Sequence, residues 1–455
     1  MTARVVQADA GVGARTIREH LAELARLSAP VIAGRLGVTT MGLTDTIVVG
    51  RYSATELGFN AMAWAISAVV LMTAIGLLTG TQVMASRAMG EGRPAEAGAV
   101  LRGGLVYGLW IGLVAGALLA ATGPWLLHAL RLKGDLAEGA SRPLIILAAS
   151  MPAFALCTAA ASWLEGLGRP AAPNALMWVA NGVNLVAVLV LVPGGWGVPA
   201  LGAIGAAMAT FTARTFLMIA LLAYIVTMRD AAALGVFRRA SRAKARAAEQ
   251  RRIGYGAGAS NLFEISAFGG MNVVAGWIGP NVVAAWAVVL NVVGFAFMVP
   301  LGLAVGTAVM VAKAYAARDE RGARRAALTG FAVTIAYGCL AALILWPNVR
   351  TVAFIYTRQS TTALMAAGGL SFAAFLLPPD GLQTVVAQSL RARGDVLAPT
   401  LTHLASYILV MVPLACVLAI SFGLGLNGIV GAAIVASYIS AALLMARFWM
   451  VTRAA

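Results

Sequence analysis

Charge is scarce in this chain: of 455 residues only 11% are Asp, Glu, Lys or Arg, and only 17 are acidic. Soluble domains carry about a quarter charged residues, so a water-soluble globule is excluded. Cysteine and histidine number only three each. Cys157, Cys339 and Cys416 have no CxxC or metal-type spacing and read as buried thiols within apolar segments. His20, His128 and His403 are scattered, and His403 reads as a packed core residue. No GxxxxGK[ST] loop and no HExxH occurs, which argues against an ATP-driven pump within the chain and leaves no soluble-enzyme motif. Arg4, Asp9, Arg15, Arg18, Glu19 and Glu23 are spread over the first 23 residues, so no short apolar core follows a basic start. The first apolar segment is itself the expected insertion signal.

What is abundant is apolar sequence: 61% of residues are hydrophobic and the mean hydropathy is +0.87. Runs of about 20 apolar residues recur throughout, the length a helix needs to cross about 30 Å of hydrocarbon. Twelve spans are expected, near 24–50, 55–84, 97–121, 143–165, 171–194, 200–228, 253–278, 281–312, 326–346, 365–390, 397–421 and 425–448. The net charge of +16 is no sign of nucleic acid, because Arg and Lys gather in alternate connectors, 87–102, 229–252 and 313–325. Connectors 192–200 and 421–426 hold no basic residue, whereas 122–142 is longer and of mixed charge with Arg131, Lys133 and Arg142. The positive-inside rule then places the basic connectors and both termini in the cytoplasm. The 229–252 cluster reads first as a topology signal and solvated linker, with anionic-lipid contact as the alternative.

One offset of 226 residues aligns Gly50 with Gly276, Arg87 with Lys313, Pro152 with Pro378, Gly168 with Gly394, Pro173 with Pro399, and Gly205-Ala206-Ala207 with Gly431-Ala432-Ala433. A single offset across nearly the whole chain marks a duplicated unit. The expected fold is an all-α membrane protein with twelve transmembrane helices in two six-helix lobes related by a parallel internal repeat. Its parts are a cytoplasmic tail at 1–23, a first lobe at 24–228, a basic cytoplasmic linker at 229–252 and a second lobe at 253–455. Six spans per half return the chain to its starting side, so both halves insert with one polarity and cargo is expected between them.

Asp45, Glu264 and Asp380 stand inside spans, where each carboxylate costs roughly 2.5–3.5 kcal/mol on insertion scales and marks a functional site by default. Their twins at the repeat offset are Met271, Val38 and Phe154. The scaffold is duplicated and the acids are not, which points to work rather than packing. Asn174, Asn181 and Asn184 fall at i, i+7 and i+10 on the fifth span and share a face. Asn261 precedes Glu264 by one turn, Gln383 follows Asp380 by one turn, and Asn291 lies on the eighth span. These six neutral side chains are the candidate substrate-binding set and could supply oxygens to a dehydrated cation. Pro30 in the first span and Pro300 in the eighth can kink their helices, Pro30 being the candidate hinge. Arg35 lies within the first span with no partner assignable from sequence.

Segments 27–50 (LSAPVIAGRLGVTTMGLTDTIVVG), 85–105, 166–186, 199–210 (PALGAIGAAMAT) and 380–395 (DGLQTVVAQSLRARGD) together resemble the multidrug and toxic compound extrusion (MATE) family, NorM-like branch, of the MOP flippase superfamily. The resemblance covers nearly the whole chain. It implies a monomeric inner-membrane protein of bacteria whose lobes rock between inward-open and outward-open states, exporting small organic cations in exchange for Na⁺ or H⁺ with no other cofactor. Glu264 and Asp380 match the acids that hold the coupling cation in the NorM-type branch, making them the Na⁺ candidates, and Asp45 matches the first-helix acid dominant in the archaeal-type branch. The archaeal-type pattern places an acid four residues after the fifth-helix Asn, whereas Val188 follows Asn184 here. The rival readings are a lipid-linked oligosaccharide flippase of the same superfamily, for which more cations than Arg35 are expected inside, and a membrane enzyme or channel.

Overall fold

The computed structural model describes residues 17–129, 136–195, 197–238, 243–357 and 359–453. Residues 1–16 of the expected tail, the connector residues Arg131 and Lys133, and residues 239–242 of the basic linker lie outside the described residues. The described chain is helical: α1 Ile17–Tyr52, α2 Ala54–Gly90, α3 Ala97–Ala129, α4 Leu136–Ala149, α5 Met151–Gly166, α6 Ala171–Leu191, α7 Gly202–Thr227, α8 Ala243–Ile278, α9 Pro280–Ala316, α10 Glu320–Tyr356, α11 Ser360–Ala392, α12 Leu397–Ser421 and α13 Gly425–Arg453. Nine of them are long and apolar enough to cross a membrane, and a tenth span forms if α4 and α5, bent by 43° across Ser150, are one. Pro152 follows that bend at the start of α5, where its missing N–H costs no helical bond. The expected twelve also counted α1, which carries Arg35 and Asp45, and α8, which carries Glu264; each has 36 residues, and neither is among the nine.

Within the first half, α3 packs on α4 and α5, α6 on α7, and α1 on α6; within the second, α11 is the hub, packed on α9, α10 and α13. Small residues make these approaches possible, as is usual where helices associate without a hydrophobic drive. A Cβ on Gly112 of α3 would stand 2.5 Å from the Pro152 Cα of α5, and one on Gly338 of α10 would stand 2.6 Å from the Pro378 Cα of α11. These two contacts are twins under the repeat. α12 departs from α-helical winding at Leu404–Met411 and Val417–Ser421, which are π-helical. Of the three thiols, Cys157 is buried, Cys416 half-buried and Cys339 exposed. The expectation of three buried thiols therefore fails at Cys339, on an outward face of α10, because hydropathy alone does not distinguish a lipid-facing position from a packed one.

Contacts between the halves gather at the end that carries the basic connectors. There α2 lies along α8, with Gly76 against Gly258, Gly80 against the Gln250 carbonyl and Gly254 against the Leu77 carbonyl. Gln250 donates to the Thr81 hydroxyl at 2.9 Å and Gln82 to the Val305 carbonyl at 3.3 Å. On the other side α9 meets α1, where Gly302 faces Ile32 and Gly306 faces Ser28. Toward the opposite end, Gly42 on α1, Gly58 on α2 and Gly269 and Gly276 on α8 have nothing within 4 Å of a Cβ position. The halves are shut at the basic end and diverge at the other.

Candidate functional site

The acids fall into two sites, one per half. Asp45 is buried on α1; one carboxylate oxygen accepts from Asn184 Nδ2 of α6 at 2.6 Å and the other from Thr210 Oγ1 of α7 at 3.0 Å. α1 reaches α6 closely because Gly34 and Gly37 face Asn174 and Asn181, and Asn181 Nδ2 donates to the Gly37 carbonyl at 2.8 Å. The charge of buried Arg214 also acts on Asp45. Arg214 donates to Ser150 at 2.6 Å and stacks over Trp64 and Phe154, with centroids 5.6 and 5.1 Å away. Arg51, six residues after Asp45, is exposed and makes no ion pair with it among the described residues.

In the second half, Asp380 is buried directly after Pro378 and Pro379 within α11. Its Oδ1 accepts from Tyr407 at 3.4 Å and from Ser437 at 3.2 Å. Gln383 stands against it, with its Nε2 on Thr384 Oγ1 at 2.9 Å and its Oε1 buried without a partner among the described residues. Tyr407 comes from the π-helical stretch of α12, a local winding often found at functional positions. Glu264 on α8 is half-buried, shares the field of Asp380 and Arg391, and makes no hydrogen bond among the described residues. It is the carboxylate left available, whereas Asp380 is already held by hydroxyls.

The six neutral candidates divide. Asn184 and Gln383 join their carboxylates, and Asn181 ties α6 to α1 while its buried Oδ1 has no partner among the described residues. Asn174 instead spends its amide on the Pro170 carbonyl at 2.6 Å. Asn261 crosses to the other half and donates to the Met72 carbonyl at 3.0 Å, so it fastens the halves rather than flanking Glu264. Asn291 is exposed and bonds back to Ala287 of its own helix at 2.8 Å, outside both sites. Pro30 lies inside α1 as expected, and Pro300 packs on Gly381 beside Asp380. His403 is buried, with neither ring nitrogen partnered among the described residues.

Sequence reading missed Thr210, Arg214, Tyr407, Ser437 and Arg391. The repeat offers one signal for them: Phe154, the twin of Asp380, is the ring under Arg214, so the halves put opposite chemistry at matched places. The count of internal cations also rises. Arg214 and Arg391 join Arg35, whose charge lies in the field of buried Glu165 without an ion pair to it among the described residues. Glu165 and Arg391 are themselves twins at the 226 offset. One half therefore sets an acid on α5 toward a base on α1, and the other a base on α11 toward an acid on α8.

At the shut end, Arg87 Nε and Nη2 donate to the Ala392 carbonyl at 3.1 and 2.8 Å, and its Nη1 meets Glu249 at 2.5 Å. Its twin Lys313 reaches in the other direction, with Nζ 2.7 Å from a Cβ position on Gly168. Gly168 and Gly394, themselves twins, have φ of +81° and +94°, where a side chain is strained. Nearby, Arg169 donates to Asp230 at 2.9 and 2.5 Å and holds that carboxyl below its ordinary value of 3.8. A depressed acid stabilises the fold above its unfolded value, and the contribution is lost as pH falls through the folded one. Both partners are more than a third exposed, so Asp230→Asn is expected to cost less than about 1 kcal/mol at pH 7. Thermal melts should show that small difference shrinking as pH falls below 3.8.

Two like-facing halves, each with a buried acid beside neutral donors and packed together most closely at one end, define a transporter-type helical membrane protein. The family model described as MatE matches residues 30–190 and 257–417, the second match starting and ending within one residue of the repeat offset. The chain belongs to the MATE family. It is 53% identical over 434 residues to "Probable multidrug resistance protein NorM" of Caulobacter vibrioides, covering 95% of this chain and 92% of that one. It is 25% identical over 382 residues to "Multidrug resistance protein NorM" of Vibrio cholerae, covering 84% and 83%. Similar solved folds include the eukaryotic MATE transporter AtDTX14, with TM-score 0.88, 17% identity and coverage of 95% and 96%. Another is an outward-facing multidrug resistance MATE transporter of the MOP superfamily, with TM-score 0.86, 19% identity and coverage of 95% and 96%.

Proposed function

We propose that this protein is a secondary active multidrug efflux transporter that exports organic cations by antiport with Na⁺ or H⁺, its two lobes giving alternating access. In this reading α1 and α8 complete twelve spans, the basic end faces the cytoplasm with both termini, and the shut basic end makes this the outward-open state of an inner-membrane protein. It works as a monomer and is not an enzyme. The carrying observation is Glu264: a half-buried carboxylate on the helix between the halves with no hydrogen bond among the described residues, beside Asp380, which is already held by Tyr407 and Ser437.

A carboxylate in such a place is costly to leave bare and holds a proton, Na⁺ or a cationic substrate, seldom two at once. Loading the coupling ion in this state then weakens the hold on substrate, and the reverse is true by linkage. Asp45 has neutral oxygens from Asn184 and Thr210 at 2.6 and 3.0 Å, so it can hold a second cation in the first lobe. The flippase alternative expected many cations facing the cargo space. Arg35 and Arg391 each act on an acid, and Arg214 is packed between rings, which leaves little positive charge for a phosphate.

The test is dye efflux from proteoliposomes under a pure Na⁺ gradient and under a pure pH gradient. At least one should drive saturable export of an ethidium-type dye, and Asp45→Asn should lower that rate several-fold in the coupled gradient. Export that is indifferent to both gradients would sink the antiport reading.

A further inference from the structure

A cleft of about 510 Å³ opens at the basic end between the start of α8 and the start of α12, beyond both carboxylate sites. Arg251 and Arg252 supply its charge, and Tyr255, Val396 and Leu397 its apolar wall. Leu397 is 63% and Tyr255 57% exposed, so the wall faces outward rather than into the lobe. Neither arginine has an ion-pair or hydrogen-bond partner among the described residues, unlike Arg87, Arg93, Arg169, Arg393 and Arg447, which all do. Across the cleft, Tyr107 of α3 meets Tyr255 edge to face at 6.2 Å. The Tyr107 hydroxyl is buried against the Tyr255 side chain.

The repeat duplicates only part of this cleft: Arg252 has Arg26 as its twin. Arg251, Tyr255 and Leu397 have Ala25, Ala29 and Ala171 as twins; the first half places three methyl groups where the second places a charge, a phenol and a leucine. A guanidinium pair above an exposed leucine and tyrosine fits a molecule with an anionic head and an acyl tail. A soluble anion has no use for the apolar wall, and a neutral lipid none for the arginines.

We infer that the α8–α12 cleft binds one anionic phospholipid, its headgroup on Arg251 and Arg252 and its chain along Tyr255 and Leu397. The lipid comes from the leaflet at the basic end, which the topology proposed above makes the cytoplasmic one. Tyr255, which lines the cleft, also meets Tyr107 of the first half, so the bound lipid lies beside a contact between the lobes at the end where they are shut.

The test is native mass spectrometry of the purified full-length protein, titrated separately with phosphatidylglycerol and phosphatidylcholine. The first phosphatidylglycerol should bind at least tenfold tighter than phosphatidylcholine. Arg251→Gln with Arg252→Gln should weaken it about 25-fold, at about fivefold per basic residue near an anionic surface, with phosphatidylcholine unchanged. Ala248→Trp, on the exposed cleft rim with both arginines kept, should remove the same bound lipid. The inference is overturned if both variants keep the wild-type preference, or if glycerol 3-phosphate displaces the lipid at equal concentration. It is also overturned if only the arginine variant responds, since that describes a basic surface and no cleft. The readout involves no efflux, so failure here is separable from failure of the antiport reading.

Discussion

Glu264→Gln and Asp380→Asn are each expected to abolish gradient-driven efflux, to the leak rate of empty liposomes, while expression and melting temperature hold or rise. The two effects have opposite signs for one reason. An acid inside a span costs roughly 2.5–3.5 kcal/mol, so a neutral amide of the same shape relieves the fold while removing the charge that a cation must displace or join. Asp380→Asn keeps an oxygen for Tyr407 and Ser437, which donate to Oδ1 at 3.4 and 3.2 Å, so the α11–α12–α13 packing survives. Glu264 makes no hydrogen bond among the described residues, so Gln breaks none while removing the charge that acts on buried Arg391. Dye export at the wild-type rate in either variant, at matched protein density and gradient, removes the assignment of the second-lobe site.

Gly80→Val and Gly254→Val are expected to stop transport by a different route, without touching any acid. A Cβ at either glycine would run into the backbone carbonyl of the opposing helix, Gln250 for Gly80 and Leu77 for Gly254. Backbone cannot swing aside as a side chain can, so α2 and α8 must separate. Overpacking of this kind costs about 1–3 kcal/mol in the shut state only, a shift of about 5- to 150-fold toward the state open at the basic end. Thr81→Cys, with exposed Cys339 replaced by Ala, reads this directly. Thr81 is buried where Gln250 donates to it, so a water-soluble thiol reagent should reach the new cysteine at least fivefold faster beside Gly254→Val. Gly269→Val, whose Cβ meets nothing within 4 Å, is the matched control and should label and transport as wild type. Equal labelling in all three proteins would mean that α2 and α8 do not form the closing surface.

Much of this architecture was legible because the properties that specify it are one-dimensional. A run of apolar residues reports a spanning helix, a fixed offset reports duplication, and a carboxylate inside such a run reports a cost that calls for a reason. What joins the acids to their partners is not one-dimensional. Thr210 meets Asp45 across 165 residues, and no period in α7 distinguishes it from the threonines that bond their own helix. The shared face of Asn174, Asn181 and Asn184 was read correctly, but a helical wheel gives a direction and not a neighbour; Asn174 turned out to serve its own first turn. Tyr407 was hidden for a further reason. It sits in the Leu404–Met411 stretch, where π-helical winding breaks the 3.6-residue register on which a face assignment rests. Asn291 groups with the second-lobe acids in sequence because it is polar within an apolar span, and in the structure it is exposed and bonds to the Ala287 carbonyl of its own helix.

The exchanged cations at the shut end carry a consequence for how motion is timed. Arg87 leaves the first lobe to grip the second at the Ala392 carbonyl, and Lys313 leaves the second to reach the first at Gly168. The door thus has two keys, each kept by the lobe that does not own the lock. Neither lobe can release itself by an internal rearrangement, and a disturbance confined to one frees only one key. An opening at this end would have to part both, along with the bonds between α2 and α8, so control of it would be shared by the duplicated parts.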